Sequence, residues 1–594
     1  METSGLRKSL AAFKGLFGSY KRAFAVLVVL GILGGFLESL GVSILIPLFA
    51  HILQQPLEGT SFITNAFNWF FDVTGLELRL RVLLPLVFIA FVLRAIVQWA
   101  FEYVRTSITT DYERNMRRDL YRKFLHAKWS FLSKQKLGHT ENDIILGVST
   151  TTRLFGSFAT SILNATTLAA YVAVALAISV EITLATLAIG AAVLYLFGPF
   201  MRKTRRYGGT IMTMGKQLAH DINERVVGLK SIKANGRERA VAEGMFELFD
   251  QFRMVRLQQS MARAVTTSAI QPITVLLAGL VFLYAFNRPG FELSSFIVII
   301  FLIQRIFLYV DRAQATLHEM NTQIPYANSV VKFMSDFDEH KEVNRGTKPF
   351  KLERAITFEE VSFNYRPKHP VLRGINLTIP KGETVGIIGP SGAGKTTVAD
   401  LLLRLLQPVS GSVKADGVPL DDISLEKWRD HVAYVSQEFF LLNDTIFANV
   451  RFYDESVTEE DVRDAIKSVG LGDVVAALPK GLYTMVGERG LELSAGQRQR
   501  IALARALVRD PDVLVLDEAT SALDGESEQA IHEALQALRG TMTMVIIAHR
   551  LTTVMETDKI IVIEKGKVAE EGSPQELLNN QDSYFYRLTH LQKY

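Results

Sequence analysis

The chain of 594 residues contains no cysteine. That excludes disulfides, thiolate metal sites and any cysteine nucleophile. Positive charge is missing from residues 51–78, which hold neither Lys nor Arg. The polar excess of a water-soluble protein is missing as well, since 48% of the residues are hydrophobic and the mean hydropathy is +0.19. A chain this long exceeds one core, so at least two domains are expected. The net charge is only +4, but residues 1–340 carry about +11 and residues 341–594 about −7. The positive residues lie between long apolar runs. That placement argues against a nucleic-acid surface and for a membrane.

Six segments are long and apolar enough for a bilayer, which needs about 20 residues each. They are 23–50, 82–104, 155–180, 182–200, 263–286 and 292–312. The third and fourth are split near Glu181 and should form a tight hairpin; the fifth and sixth are split by NRPGFELS. The Lys- and Arg-rich segments 105–154 and 201–262 place those loops, the N-terminus and the C-terminal half in the cytoplasm. Loops of that length are seldom structureless, so the spans should continue as helices and turn back beyond the membrane. Residues 6–22 set Leu6, Leu10, Phe13, Phe17 and Tyr20 on one helical face, as in an interfacial helix. A signal peptide is the other reading, but the apolar run that follows is too long for one. Residues 1–340 therefore read as a membrane domain, 341–352 as a linker and 353–594 as a second domain.

In the second domain ETVGIIG reads as a strand, GPSGAGKTT as a phosphate loop and TTVADLLLRLL as the following helix. Strand, loop and helix in that order make the loop credible. Gly389, Gly392 and Gly394 would let backbone N–H groups approach the phosphates, and Pro390, Ser391, Ala393 and Thr397 complete the nucleotide-binding loop. Lys395 would reach the β- and γ-phosphates, and Thr396 would coordinate Mg²⁺. DVLVLDEATSALD is an apolar strand ending in acids. Asp517 would serve the Mg²⁺ shell and Glu518 would orient water. A second anion site lies about a hundred residues from the first, at LELSAGQRQR, where Ser494, Gly496 and Gln497 open a helix. One nucleotide has no evident need of two such cradles. If the second cannot fold back on the first, it serves the ATP of another subunit, and two chains would sandwich two nucleotides.

In these motifs the chain resembles ABC transporters, and its whole length resembles an exporter-type half-transporter: an α-helical polytopic membrane domain of six helices with long cytoplasmic extensions, then an α/β P-loop ATPase domain. The resemblance implies ATP and Mg²⁺ as cofactors. It implies that Tyr365 of SFNY stacks on adenine and that Gln437 of YVSQEFF joins metal and water. It implies that Asp524 of SALD meets the opposite subunit and that His549 of IIAHR senses the γ-phosphate. TMVGERG, residues 484–490, matches a motif of the family's exporters. FLSKQKLGHTEND and VGLKSIKANGRER would pass force to the spans. One departure is Ala495, where the family usually has glycine; a methyl is tolerable at negative φ. The catalytic positions otherwise match, which favours a homodimer.

The cargo is less defined. Glu38, Arg94 and Gln98 fall inside spans, and intramembrane charges are functional candidates. Glu38 and Arg94 either pair with each other or, with Arg305, meet a polar headgroup. FLESLGVSILIPLF and FVLRAIVQ are similar to flippases of lipid-linked oligosaccharides. Three readings stay open: a flippase for a lipid-like or lipid-linked saccharide substrate, an exporter of drugs or peptides, and an ATP-gated regulator. The partners expected are a second copy, the bilayer and an amphipathic cargo, without nucleic acid. No peptidase domain precedes the spans, which disfavours a peptide-processing exporter; no transit peptide is seen, so a bacterial inner membrane is expected.

Overall fold

The computed structural model describes residues 20–44, 69, 73, 80–286, 293–367, 369–437, 439–517, 525–548 and 551–591. Most of the helix expected at 6–22, the end of the first span, nearly all of 51–78 and the turn at 287–292 lie outside them. The chain forms two compact units. The first holds the described residues up to Ala127 and Lys134–Lys341; the second holds Lys128–Ser133 and the described chain from Glu342 onward.

The first unit is helical: α1 Lys21–Ser43, α2 Leu80–Leu125, α3 Leu137–Asn142, α4 Val148–Ile178, α5 Val180–Leu196, α6 Gly198–Val227, α7 Glu238–Phe286 and α8 Leu293–Glu339. Among the described residues four helices are long and apolar enough to cross a membrane, or five if the bent pair α5–α6 is one span. The expected sixth span, 292–312, begins at the edge of the described residues and occupies the first part of α8. The 46 residues of α2 reach about 69 Å, more than twice the ~30 Å hydrocarbon core. So α2 runs well beyond its apolar half, as do α7 and α8. Each of these three has a proline inside it, Pro85, Pro272 and Pro325.

The hairpin between α4 and α5 turns at Ser179, whose hydroxyl accepts from the Ile182 N–H. The fourth expected segment, 182–200, is not one straight span. It bends by 40° between Leu196 and Gly198, where Pro199 in the first turn of α6 lacks the N–H that would continue the ladder. α1 lies very close to α4: a Cβ on Gly31 would come within 2.7 Å of the Thr166 hydroxyl, and one on Gly35 within 3.1 Å of backbone. Small residues at such crossings let helices pack without a hydrophobic driving force. The outer faces are apolar instead, with Val29, Ile32 and Phe36 of α1 and Phe88, Ile89 and Trp99 of α2 exposed. In water that would be an aggregation surface; in lipid it faces its own kind of solvent.

The second unit contains two sheets. β1 Ala355–Arg366, β2 His369–Pro380, β4 Ser410–Ala415 and β5 Val418–Pro419 form an antiparallel sheet in the order β2-β1-β4-β5. The other has the order β10-β9-β3-β8-β7-β6, from β3 Thr384–Ile388, β6 Val432–Val435, β7 Val513–Asp517, β8 Thr543–Ile547, β9 Lys559–Glu564 and β10 Lys567–Gly572. Its four pairings from β9 to β6 are parallel, and the β10 edge pairs antiparallel with β9. Every residue of β3, β7 and β8 is buried. Alternate side chains enter two separate cores: Leu514, Leu516, Met544 and Ile546 on one face, Val513, Val515, Val545 and Ile547 on the other. A sheet covered on both faces needs continuously apolar strands, which is why VLVLD and TMVII carry no polar alternation.

Candidate functional site

The parallel order β3-β8-β7-β6 sends four strand ends to the same edge. The carboxyl edge of such a sheet is where ligands bind. From β3 the chain enters the phosphate loop, β7 ends on Asp517, and Gln437 follows β6 by two residues. Glu518, Asp524 and His549, which follow β7 and β8 in sequence, lie outside the described residues. The described motifs, from the phosphate loop to Asp517, thus converge through strand order alone.

The loop itself depends on glycine at two points. Gly389 has φ 149° and a Cβ there would strike the Ile563 carbonyl at 2.0 Å; Gly394 has φ 108° and a Cβ would meet Leu372 at 2.5 Å. Gly392 also has positive φ, at 78°, with open space beside it. Gly394 caps the helix α9, Lys395–Leu402. Lys395 is buried, and its Nζ donates to the carbonyls of Gly389 at 2.9 Å and Pro390 at 3.1 Å. Pro390, Ser391, Gly392 and Thr396 are exposed, whereas Ala393 and Thr397 are buried. An ammonium curled into a ring of backbone groups at a helix N-terminus suits a polyphosphate. Tyr365 stands over this helix, its hydroxyl 3.3 Å from Thr397 Oγ1, with its ring half-exposed and edge-on to Phe363.

The donor set also fits Mg²⁺. Asp517 is buried at the strand end. Burial, then the charge of Asp517, pushes the Asp400 carboxyl up to about 6. Burial and the same two carboxylates push the Tyr434 hydroxyl up to about 12. Negative charge is held here at a cost that a hard cation would relieve. Sequence reasoning missed Asp400; its position four residues after Thr396, one helical turn on, was the available signal.

The second cradle is a capped helix, α10 Ala495–Leu507. Ser494 Oγ accepts from the Gln497 N–H at 3.2 Å, and Gln497 Oε1 accepts from the Ser494 N–H at 2.9 Å. That reciprocal pair is a capping box. Ser494 is exposed and Gly496 is buried. Ala495 has no positive φ, so its methyl is accommodated in the first turn. The 484–490 loop is tied to this helix by Arg498, which donates to the carbonyls of Leu493 at 2.7 Å and Gly490 at 3.3 Å.

In the first unit Arg94 and Glu38 form an ion pair at 2.9 Å. Tyr171 and Tyr309, which the sequence did not single out, donate hydroxyls to the same carboxylate at 2.8 and 3.1 Å. Arg305 lies over the Phe301 ring at 4.9 Å. Between the middle of α2 and the first turns of α4 a cavity of about 380 Å³ is lined by Arg105, Glu113, Thr152, Arg153, Thr160 and Glu319, among others. Arg105 is oriented by Glu102 at 2.6 Å and Thr160 at 2.9 Å.

Residues 24–304 match the ABC transporter transmembrane region, and residues 372–521 match the ABC transporter family. A protein of Burkholderia thailandensis named ATP-dependent lipid A-core flippase is 33% identical over 503 residues, 83% of each chain. One of the same name from Albidiferax ferrireducens is 30% identical over 587 residues, 97% of each chain. A solved bacterial Atm1-family ABC exporter with ATP bound superposes with a TM-score of 0.81 at 22% identity, covering 97% of this chain and 100% of that one.

Proposed function

This chain belongs to the ABC transporter family, as an exporter-type half-transporter with one helical membrane domain fused to one ATPase domain, and from that premise we propose that it flips an amphipathic, anionic lipid. ATP hydrolysis drives transport by alternating access between bundle conformations. The single observation that carries the choice of cargo is the cavity where Arg105 and Arg153 stand among hydroxyls and the carboxylates of Glu113 and Glu319, in a bundle whose outer faces are apolar. Guanidinium groups bind phosphate in a bidentate fork, hydroxyls suit a sugar, and the apolar faces suit acyl chains. The relatives named lipid A-core flippases point the same way. A phosphorylated glycolipid is the cargo class that uses all three surfaces.

The nucleotide chemistry is proposed as follows. Lys395 leaves the loop carbonyls for the β- and γ-phosphates, and Tyr365 stacks on the base. Thr396, Asp517 and Gln437 would hold Mg²⁺, which neutralises phosphoryl charge when bound. Glu518 orients water and His549 contacts the γ-phosphate. Ser494, the N–H groups near Gly496, Gln497 and Asp524 of a second copy close the site, so the working unit is a homodimer. It resides in a bacterial inner membrane with the ATPase domain in the cytoplasm.

The test uses vesicles of phosphatidylcholine with and without a phosphorylated glycolipid. ATPase activity should rise several-fold with the glycolipid, and Arg153→Glu should lose that rise. Stimulation by soluble cationic amphiphiles and none by the glycolipid would overturn the cargo assignment.

A further inference from the structure

We propose that α3 and α6 together hold a divalent transition metal of the zinc class, bound by His220, Asp221 and Glu224 with His139 as a fourth ligand. The proposal does not depend on what the protein transports. Among the described residues, His220, Asp221 and Glu224 bring one ligand atom each within 4.8 Å of one another. His220 and Glu224 lie one turn apart on α6 and share a face. The Asp221 carboxylate is oriented by the Gln217 amide, which donates to Oδ1 at 2.6 Å, leaving Oδ2 for a ligand role. Such outer contacts commonly position metal ligands.

The second element supplies an imidazole. Gly138 lets α3 lie directly on α6: a Cβ there would come within 2.8 Å of the His220 Cα. The next residue, His139, therefore meets His220 edge-on, with ring centres 5.8 Å apart at 75°. Two imidazoles on one tetrahedral ion at ordinary Zn–N distances place their ring centres about 5 Å apart. His139 stands outside the tight set of three, on the helix packed against it. Its Nε2 is shut from solvent and has no hydrogen-bond partner, an arrangement that costs stability unless something binds there.

The donor set selects the ion. Two imidazole nitrogens and two carboxylates, with no thiolate, suit Zn²⁺ or Co²⁺, whereas Mg²⁺ and Ca²⁺ take oxygen ligands. A bound ion would clamp α3 to the middle of α6.

The experiment uses tag-free, full-length protein, stripped with chelator and free of nucleotide. Co²⁺ is titrated in while the visible absorption of a low-symmetry Co²⁺ site is followed. The expected result is one saturable Co²⁺ per chain, displaced by Zn²⁺. His220→Gln and His139→Gln should each weaken it about tenfold or more. If His220→Gln fails to fold, the exposed Glu224→Gln gives the same readout. Absence of the absorption band, or equal affinity in the His220→Gln or Glu224→Gln protein, would overturn the proposal.

Discussion

The guanidinium of Arg94 lies 2.9 Å from the carboxylate of Glu38. These residues sit on α1 and α2, and the two tyrosines on that carboxylate come from α4 and α8. One acid therefore joins four helices. Of the two roles open from the sequence, pairing or headgroup contact, the pair is formed. Removing one partner of a buried ion pair costs about 3–5 kcal/mol. Arg94→Ala should lower thermal stability in detergent more than Glu38→Gln, which keeps an oxygen to accept from the Tyr171 hydroxyl. Exchanging the two charges should regain only part of the loss, because Tyr171 and Tyr309 would then face a guanidinium. Full recovery would mean that the tyrosines contribute nothing.

Ser494→Arg should abolish hydrolysis while ATP binding stays nearly intact, since Lys395 and the phosphate loop are untouched. Loss of the cap alone should cost about 1 kcal/mol of stability. Binding is read with a fluorescent nucleotide and turnover by phosphate release. Normal turnover in that variant would sink the composite site.

Glu518→Gln should cut turnover by roughly 10²–10⁴-fold, the usual contribution of a positioned acid–base group. It should also hold two ATPase domains together in ATP and Mg²⁺. Asp517→Asn should instead lose Mg²⁺ affinity and the closed dimer. A spin-label distance between the two domains separates these outcomes; a Glu518→Gln protein as open as the nucleotide-free one would show that this acid is not the catalytic carboxylate.

His318, beyond the expected span in α8, is sealed between Thr204 of α6 at 3.0 Å and Thr266 of α7 at 3.1 Å. Burial, then the charge of Arg263, lowers its pKa from the ordinary value. The folded state therefore favours the neutral ring. Its contribution is present above about pH 6.5 and is lost as pH falls through the lower folded value. Wild type should melt above His318→Gln at pH 7.5, with the gap narrowing toward pH 5. A gap that stays constant or widens on acidification would show that this ring is not the titrating lock.

A further contact of this kind joins Lys216 to Asp143 at 2.5 Å and to Ser329 at 2.7 Å. It anchors the π-helical turn Asp143–Gly147 ahead of α4. Lys216→Met should leave the Asp143 carboxylate buried without its cation. The expected loss is about 3 kcal/mol or more, read as a lower melting temperature that Asp143→Asn in the same protein partly restores.

The sequence alone determined what is written in contiguous residues. Apolar runs about a bilayer long declare a membrane domain, because lipid demands that each span satisfy its own backbone. The phosphate loop is equally local: GPSGAGKTT acts through its own backbone, and a strand before it and a helix after it suffice to place it. The Ser494 helix start was legible for the same reason, since a cap and its N–H groups are neighbours in sequence. The tertiary structure alone decided which distant groups meet. Asp400 faces Asp517 because β3 and β7 flank β8, an order that no local pattern encodes. Tyr171 and Tyr309 reach Glu38, and His139 reaches His220, only through helix packing. Such contacts depend on rotation and crossing of whole helices, which small residues such as Gly31 and Gly138 permit but do not announce. Periodicity tells a helix which face is apolar; it does not tell a polar side chain which partner, a hundred residues away, will satisfy it.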